Sequence, residues 1–97
     1  MIMTSLEAHV EPAKQDLLKQ AFKKELASRL PGATEGVLTQ SSSDPTLWRL
    51  NGFWESLEVF ENYRRSVGVA AGILIFRAAG AEPSMSIFEV VDRKNWS

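Results

Sequence analysis

The chain has 97 residues, 44% of them apolar and 24% charged, which suits one globular domain and leaves no room for a second. Lysines and arginines (11) nearly balance the acids (12) for a formal charge of −1. The basic pairs Lys23-Lys24 and Arg64-Arg65 make no phosphate-tracking stripe, so nucleic acid is not expected as a partner, and a chain without cysteine has no disulfide, thiolate nucleophile or zinc–thiolate site.

Residues 2–10 alternate, with Ile2, Leu6, Ala8 and Val10 on one parity and Met3, Ser5, Glu7 and His9 on the other. A period of two predicts a half-buried strand, and Pro12 ends it. From Ala13 to Leu30 the period becomes helical: Leu17, Leu18, Ala21, Phe22, Leu26 and Leu30 form an inner stripe, and the lysines face outward. "LPG" (30–32) stops this helix, with Gly32 suited to a left-handed cap. "ATEGVLTQ" (33–40) reads as a strand, "SSSDP" (41–45) as a turn, and Thr46 to Trp54 as a third strand in hairpin with the second. Ser56 is a good N-cap for a second helix, with Leu57, Phe60, Tyr63 and Val67 inside. "VGVAAGILIFRAA" (67–79) reads as a buried strand or a helix, its alanines and length favouring the helix. "SMSIFEVV" (84–91) is the last strand.

The order β-α-β-β-α-β is that of an α+β, ferredoxin-like domain spanning residues 1–97, a four-stranded antiparallel sheet with its helices on one side. Strands three and four carry apolar residues on both parities, so a second copy is the expected cover for the other side. "MIMTSLEAHVEP" has no basic n-region and no continuous apolar core. The longest apolar run, residues 67–76, is about half of a membrane span. A cytoplasmic homodimer with no membrane partner is the expectation. One histidine and scattered carboxylates supply no metal ligand set. No glycine-rich phosphate loop occurs, so no nucleotide cofactor is indicated, and no Gly-x-Ser-x-Gly elbow marks a serine hydrolase.

"LWRLNGFWES" (47–56) puts two tryptophans and Leu50 on one parity and Arg49 and Asn51, with Leu47 and Phe53, on the other. Such a strand is buried twice, or one face lines a pocket. Trp54 serves packing or holds a ring. Asn51 bonds to backbone or to a ligand oxygen. Arg49 pairs with Glu35 or Glu89, or with an anionic substrate. Tyr63 is core or a donor to a ligand. His9 is a strand-end residue or, as the one group titrating near neutrality, a general base. Trp96, near the chain's end, is a residue of the kind that docks into a groove of its own subunit or of a partner.

"HVEPAKQDLLKQAF" (9–22), "LPGATEGVL" (30–38) and "FWESLEVFENY" (53–63) are, in turn, a strand running through proline into a helix, a helix-to-strand turn, and a third-strand tryptophan followed by a Glu-Ser helix start. With these the chain resembles the antibiotic biosynthesis monooxygenase-like family of the dimeric α/β-barrel superfamily; "GAEPSMSIFEVV" (80–91) is similar to that family's closing loop and strand. The resemblance implies two subunits paired sheet to sheet. It also implies a small phenol- or quinol-like aromatic bound between sheet and helices and oxidised by dioxygen without flavin, haem or metal. An asparagine and a tryptophan on the third strand are that family's catalytic pair. Trp54 matches the tryptophan. Asn51 lies three positions before it, where four would share a face, and Leu50 holds the expected slot. In a regular strand Asn51 and Trp54 oppose each other; a bulge at Gly52 would reunite them. A haem-degrading branch of similar fold uses an asparagine on strand one and a histidine on helix two; this chain has neither, with Tyr63 at the latter place.

The expected site therefore has Asn51 and Trp54 as catalytic residues and Arg49, Tyr63 and His9 around the substrate. The alternatives are a non-catalytic small-molecule-binding or structural homodimer, and an isomerase or decarboxylase using His9 or Glu7 as base.

Overall fold

In the computed structural model, which describes residues 1–96, the opening alternation becomes strand β1 (Ile2–His9). A single 3-10 turn over Pro12–Lys14 leads into helix α1 (Gln15–Glu25). Proline suits that first turn because its missing N–H is not needed there. Strands β2 (Ala33–Gln40) and β3 (Leu47–Trp54) follow as a hairpin, then helices α2 (Leu57–Ser66) and α3 (Ala71–Ala78), and strand β4 (Ser84–Glu89). The sheet order is β2-β3-β1-β4 with every pairing antiparallel. This is the expected ferredoxin-like α+β arrangement, with α3 as an extra helix before the last strand. No helix among the described residues is long and apolar enough to cross a membrane.

Helix α1 ends at Glu25, well before the expected stop at Leu30. Pro31 explains part of this, since its ring conflicts with a helical carbonyl at Ala27 and pushes Leu30 towards extended backbone. Gly32 therefore caps no helix. The Ala33 N–H donates to the Leu30 carbonyl at 3.0 Å across Pro31 and Gly32, and Gly32 has φ 82°. Proline then glycine at the centre of a turn is the type II signature. Leu17 and Leu57 were expected inside and are about half exposed, at 43% and 47%. Neighbouring positions on a helix point about 100° apart, so Leu18, fully buried, takes the inner place beside Leu17.

Within residues 67–79 the helix forms over Ala71–Ala78, with Ala71, Ile75 and Phe76 turned inward. Ser56 caps α2 as expected, its hydroxyl accepting the Val59 N–H at 3.1 Å. Two apolar clusters form on the helix side of the sheet. Leu18, Ile75 and Phe76 cover Leu6, Ala8, Trp48 and Leu50 at one end. Phe60 and Tyr63 of α2 cover Ile2 and Trp54 at the other. Each fully buried Leu, Ile or Phe contributes on the order of 2 kcal/mol.

The opposite face carries no helix, and its composition differs from expectation. Val37, Phe53, Met3 and half-exposed Phe88 make it apolar towards one end, while Glu7, Arg49, Thr39 and Ser84 make the other end polar. Strand β4 ends at Glu89, so Val90 and Val91 belong to a non-regular tail. Trp96 at the end of that tail is 82% exposed rather than docked within its own subunit.

Candidate functional site

The two clusters leave a gap between them. Thr4, Leu6, Leu50 and Trp54 from the sheet, Phe60 and Tyr63 from α2, and Gly72 and Ile73 from α3 line a mostly apolar, half-open cavity of about 190 Å³. Arg29 and Glu35, both largely solvated, stand at its edge.

The aromatic wall is built by two elements. Trp54 ends β3 with 5% exposure, and its ring centroid lies 4.9 Å from Phe60 and 5.1 Å from Tyr63. The first turn of α2 sets Phe60 and the next sets Tyr63, as helical spacing requires. The Trp54 indole N–H donates to the Thr4 hydroxyl at 3.2 Å. The Tyr63 hydroxyl accepts the Ala71 N–H at 2.9 Å. Its oxygen thus caps the start of α3, where Ala70 offers no side-chain cap, and its own proton remains for an acceptor in the cavity. A planar molecule with one oxygen fits such a lining: ring faces for stacking, and a hydroxyl for orientation.

Asn51 is not part of this cavity. Strand β3 pairs with β1 in unbroken register from Ile2↔Trp54 to His9↔Leu47, so the expected bulge at Gly52 is absent. The irregularity lies on the other side, on β2, where Ala33 faces Trp54 and Glu35 faces Phe53 with Thr34 left over. Gly52 is glycine for a different reason. A Cβ there would sit 3.0 Å from the Thr4 hydroxyl and 3.1 Å from the Trp54 indole nitrogen, so the glycine makes room for the indole. With β3 regular, Asn51 and Trp54 lie on opposite faces.

Asn51 and Arg49 instead line a more polar depression of about 240 Å³ on the helix-free face, with Met3, Ser5, Ser86 and Phe88. Arg49 pairs at 2.9 Å with Glu7, its direct partner on β1, rather than with Glu35 or Glu89. The Asn51 Oδ1 is buried there without a hydrogen-bond partner. His9 lines neither cavity. It sits exposed at the end of β1, its Nδ1 2.9 Å from the Thr46 hydroxyl and 3.7 Å from Asp44. Because the Thr46 hydroxyl donates to Asp44 at 2.7 Å, it accepts from His9. Those Thr46 hydrogen bonds, from hydroxyl first and then from N–H, hold the Asp44 carboxyl below its ordinary value, with His9 adding a smaller pull.

The expected site thus divides three ways: Trp54 with Tyr63, Asn51 with Arg49, and His9 alone. The sequence reading passed over Thr4, although it left a signal, a lone hydroxyl on the otherwise apolar parity of β1. Among the described residues, no group of three or more His, Asp or Glu side chains stands where it could hold a metal ion.

Comparison with known proteins follows the same outline. The family model of the antibiotic biosynthesis monooxygenases matches residues 1–73. A proposed antibiotic biosynthesis monooxygenase from Deinococcus radiodurans superposes with a TM-score of 0.76 at 15% identity, over 100% of this chain and 99% of its own. SnoaB, a cofactor-independent oxygenase from Streptomyces nogalater, gives 0.75 at 15% identity over 95% and 94%. A further proposed monooxygenase of this kind, from Nitrosomonas europaea, gives 0.72 at 18% identity over 95% and 100%. At these identities the superpositions establish a shared fold. No curated protein sequence matches the chain.

Proposed function

Because the chain belongs to the antibiotic biosynthesis monooxygenase family, we propose that it oxidises a small aromatic phenol or its keto tautomer with dioxygen in the cavity between sheet and helices. One observation carries this reading: Trp54 and Tyr63 meet in an apolar chamber of about 190 Å³, beside a hydroxyl whose proton is free to donate.

The chemistry fits the lining. An ionised anthrone-type substrate gives one electron to dioxygen, and the resulting radical and superoxide combine to a carbon–oxygen bond. Cleavage of the peroxide leaves a carbonyl on the substrate and releases water. Each oxygen atom is accounted for, and the substrate's own CH₂ supplies the electrons and hydrogens, so no external reductant enters. Tyr63 would donate to the substrate oxygen and hold its negative charge, and the aromatic walls would shield one side of the radical pair. No carboxylate or imidazole projects from the buried walls, so the proposed substrate is one acidic enough to ionise without a dedicated base.

Leu50 supports a second reading. It occupies the wall where an amide four positions before Trp54 would have reached the cavity, and Asn51 faces the other way. A protein that binds the aromatic without turning it over would need no such amide.

Oxygen uptake with dihydroxynaphthalenes and anthrones, alongside quenching of tryptophan fluorescence, separates the two. Uptake of one dioxygen per substrate, slowed by roughly one to two orders of magnitude in Tyr63→Phe, supports the oxygenase. Saturable quenching without uptake leaves the binding protein. Neither signal with any member would remove the cavity as the site.

We propose further that the working form is a homodimer joined through the helix-free face. Half-exposed Phe88, exposed Val37 and the unpaired Asn51 Oδ1 lie together there, and a second copy would cover the first two and offer donors to the third.

A further inference from the structure

We propose that Thr4 is a positioning residue for Trp54, an inference resting on the reading of the cavity as an aromatic site. Thr4 is 6% exposed and Trp54 5%, so neither polar group has bulk water to turn to. The indole N–H is the side chain's one donor, and it goes to the Thr4 hydroxyl at 3.2 Å. The Thr4 hydroxyl in turn points its proton at the Gly52 carbonyl, 3.4 Å away.

The three residues are tied together by register. Thr4 stands directly opposite Gly52 on the neighbouring strand, while the partner of Trp54 is Ile2, two residues back. The indole must therefore lean over Gly52 to reach Thr4. It can do so because Gly52 presents no side chain in the path. Threonine, branched at Cβ, is stiff at χ1 and so holds the acceptor oxygen in one place. The result is an indole plane fixed before any ligand arrives.

Two consequences follow for recognition. A ligand stacking on this wall orders no side chain in doing so, and the entropy of fixing the ring is not charged to binding. The indole N–H is also already committed. The ligand's oxygen must be met elsewhere, by Tyr63, so the preferred class is a flat aromatic with a single accepting oxygen at one edge rather than two opposed ones.

Thr4→Val keeps the shape and removes the hydroxyl, and Thr4→Ser keeps the hydroxyl. 1-Naphthol under argon is the probe, because binding is then read with no dioxygen to consume. The indole N–H resonance of Trp54 in a ¹⁵N-correlated spectrum reports the lock without any ligand. In Thr4→Val that resonance should move and exchange faster with solvent. The dissociation constant for 1-naphthol should rise roughly three- to tenfold, the worth of one neutral hydrogen bond. Thr4→Ser should restore both, which a loss of packing alone would not. Wild-type resonance and wild-type affinity in Thr4→Val would overturn the proposal. Should Thr4→Val not fold, Gly52→Ala, which keeps the hydroxyl and pushes the indole aside, should weaken 1-naphthol by a similar factor; unchanged affinity there overturns it equally. Should the wild type fail to bind 1-naphthol, the aromatic-site reading falls by itself, and the indole resonance alone decides the role of Thr4.

Discussion

Asn51 and Trp54 point away from each other across the sheet: the amide sits in the depression on the helix-free face and the indole lines the apolar cavity on the helix side. Asn51→Ala should therefore leave 1-naphthol affinity within about twofold of wild type, since side chains on opposite faces without shared partners act nearly independently. Fluorescence titration checks this. A tenfold loss would mean that Asn51 reaches the cavity after all.

Tyr63→Phe has two separable effects. The Ala71 N–H loses its acceptor, which should cost about 1 kcal/mol of stability, as an unsatisfied buried donor does. Chemical denaturation reads that part. Affinity for a ligand bearing an accepting oxygen should fall as well, whereas naphthalene, which has none, should bind the variant as it binds the wild type.

Gly32 and Gly80 both have positive φ, 82° and 73°, but their surroundings differ. A Cβ at Gly32 would lie 1.7 Å from Val59 Cγ1, and one at Gly80 would meet nothing. Gly80→Ala should cost about 1 kcal/mol for the backbone alone. Gly32→Ala should cost roughly 2–4 kcal/mol, because α2 must also shift. Equal costs in urea denaturation would show that Val59 gives way freely.

Acid should weaken the fold through two surface clusters. Hydrogen bonds from Thr46 hold Asp44 below its ordinary 3.8, and the paired Arg77 holds Glu82 below 4.5. Both are depressed on folding, so their contribution is whole above those ordinary values and is lost as pH falls through the lower, folded ones. Asp44→Asn with Glu82→Gln should flatten the change in melting temperature between about pH 5 and pH 2. Parallel curves for variant and wild type would count against it.

Light scattering at micromolar concentration should return twice the 10.8 kDa of the single chain. Phe88→Glu, placing a charge on the half-exposed centre of the proposed interface, should return the single mass with the cavity ligand still bound. A wild-type monomer would end the dimer proposal.

The sequence disclosed what periodicity can carry. Ile2, Leu6, Ala8 and Val10 announce which side of β1 is buried, and Phe60 with Tyr63 announces the inner stripe of α2, because a repeat reports a face directly. The span 67–79 is apolar almost throughout, so its period is blurred; the helix within it follows from packing against α1 and the sheet and from the Tyr63 hydroxyl at Ala71. Gly52 misled in an instructive way. A glycine in a strand answers either a bulge or a close approach, and only the position of the Trp54 ring distinguishes them. The cavity itself is assembled from all four strands, from α2 and α3 and from the segment after α1, and no single stretch contains it.

The sheet order also governs when the molecule can exist during its synthesis. β1 is made first and lies inside the sheet, yet its neighbours are β3 and β4, not β2. On the ribosome it waits without a partner until Trp54 has emerged, and one of its edges stays open until Glu89 has. Only the β2–β3 hairpin can form from adjacent sequence. Pairings so distant in the chain are slow to close and leave strand edges exposed meanwhile. The nascent protein therefore carries β1 unpaired until β3 has been made, and a chaperone that binds extended apolar segments would meet it at Ile2–Val10, the segment that later supplies Thr4 to the cavity.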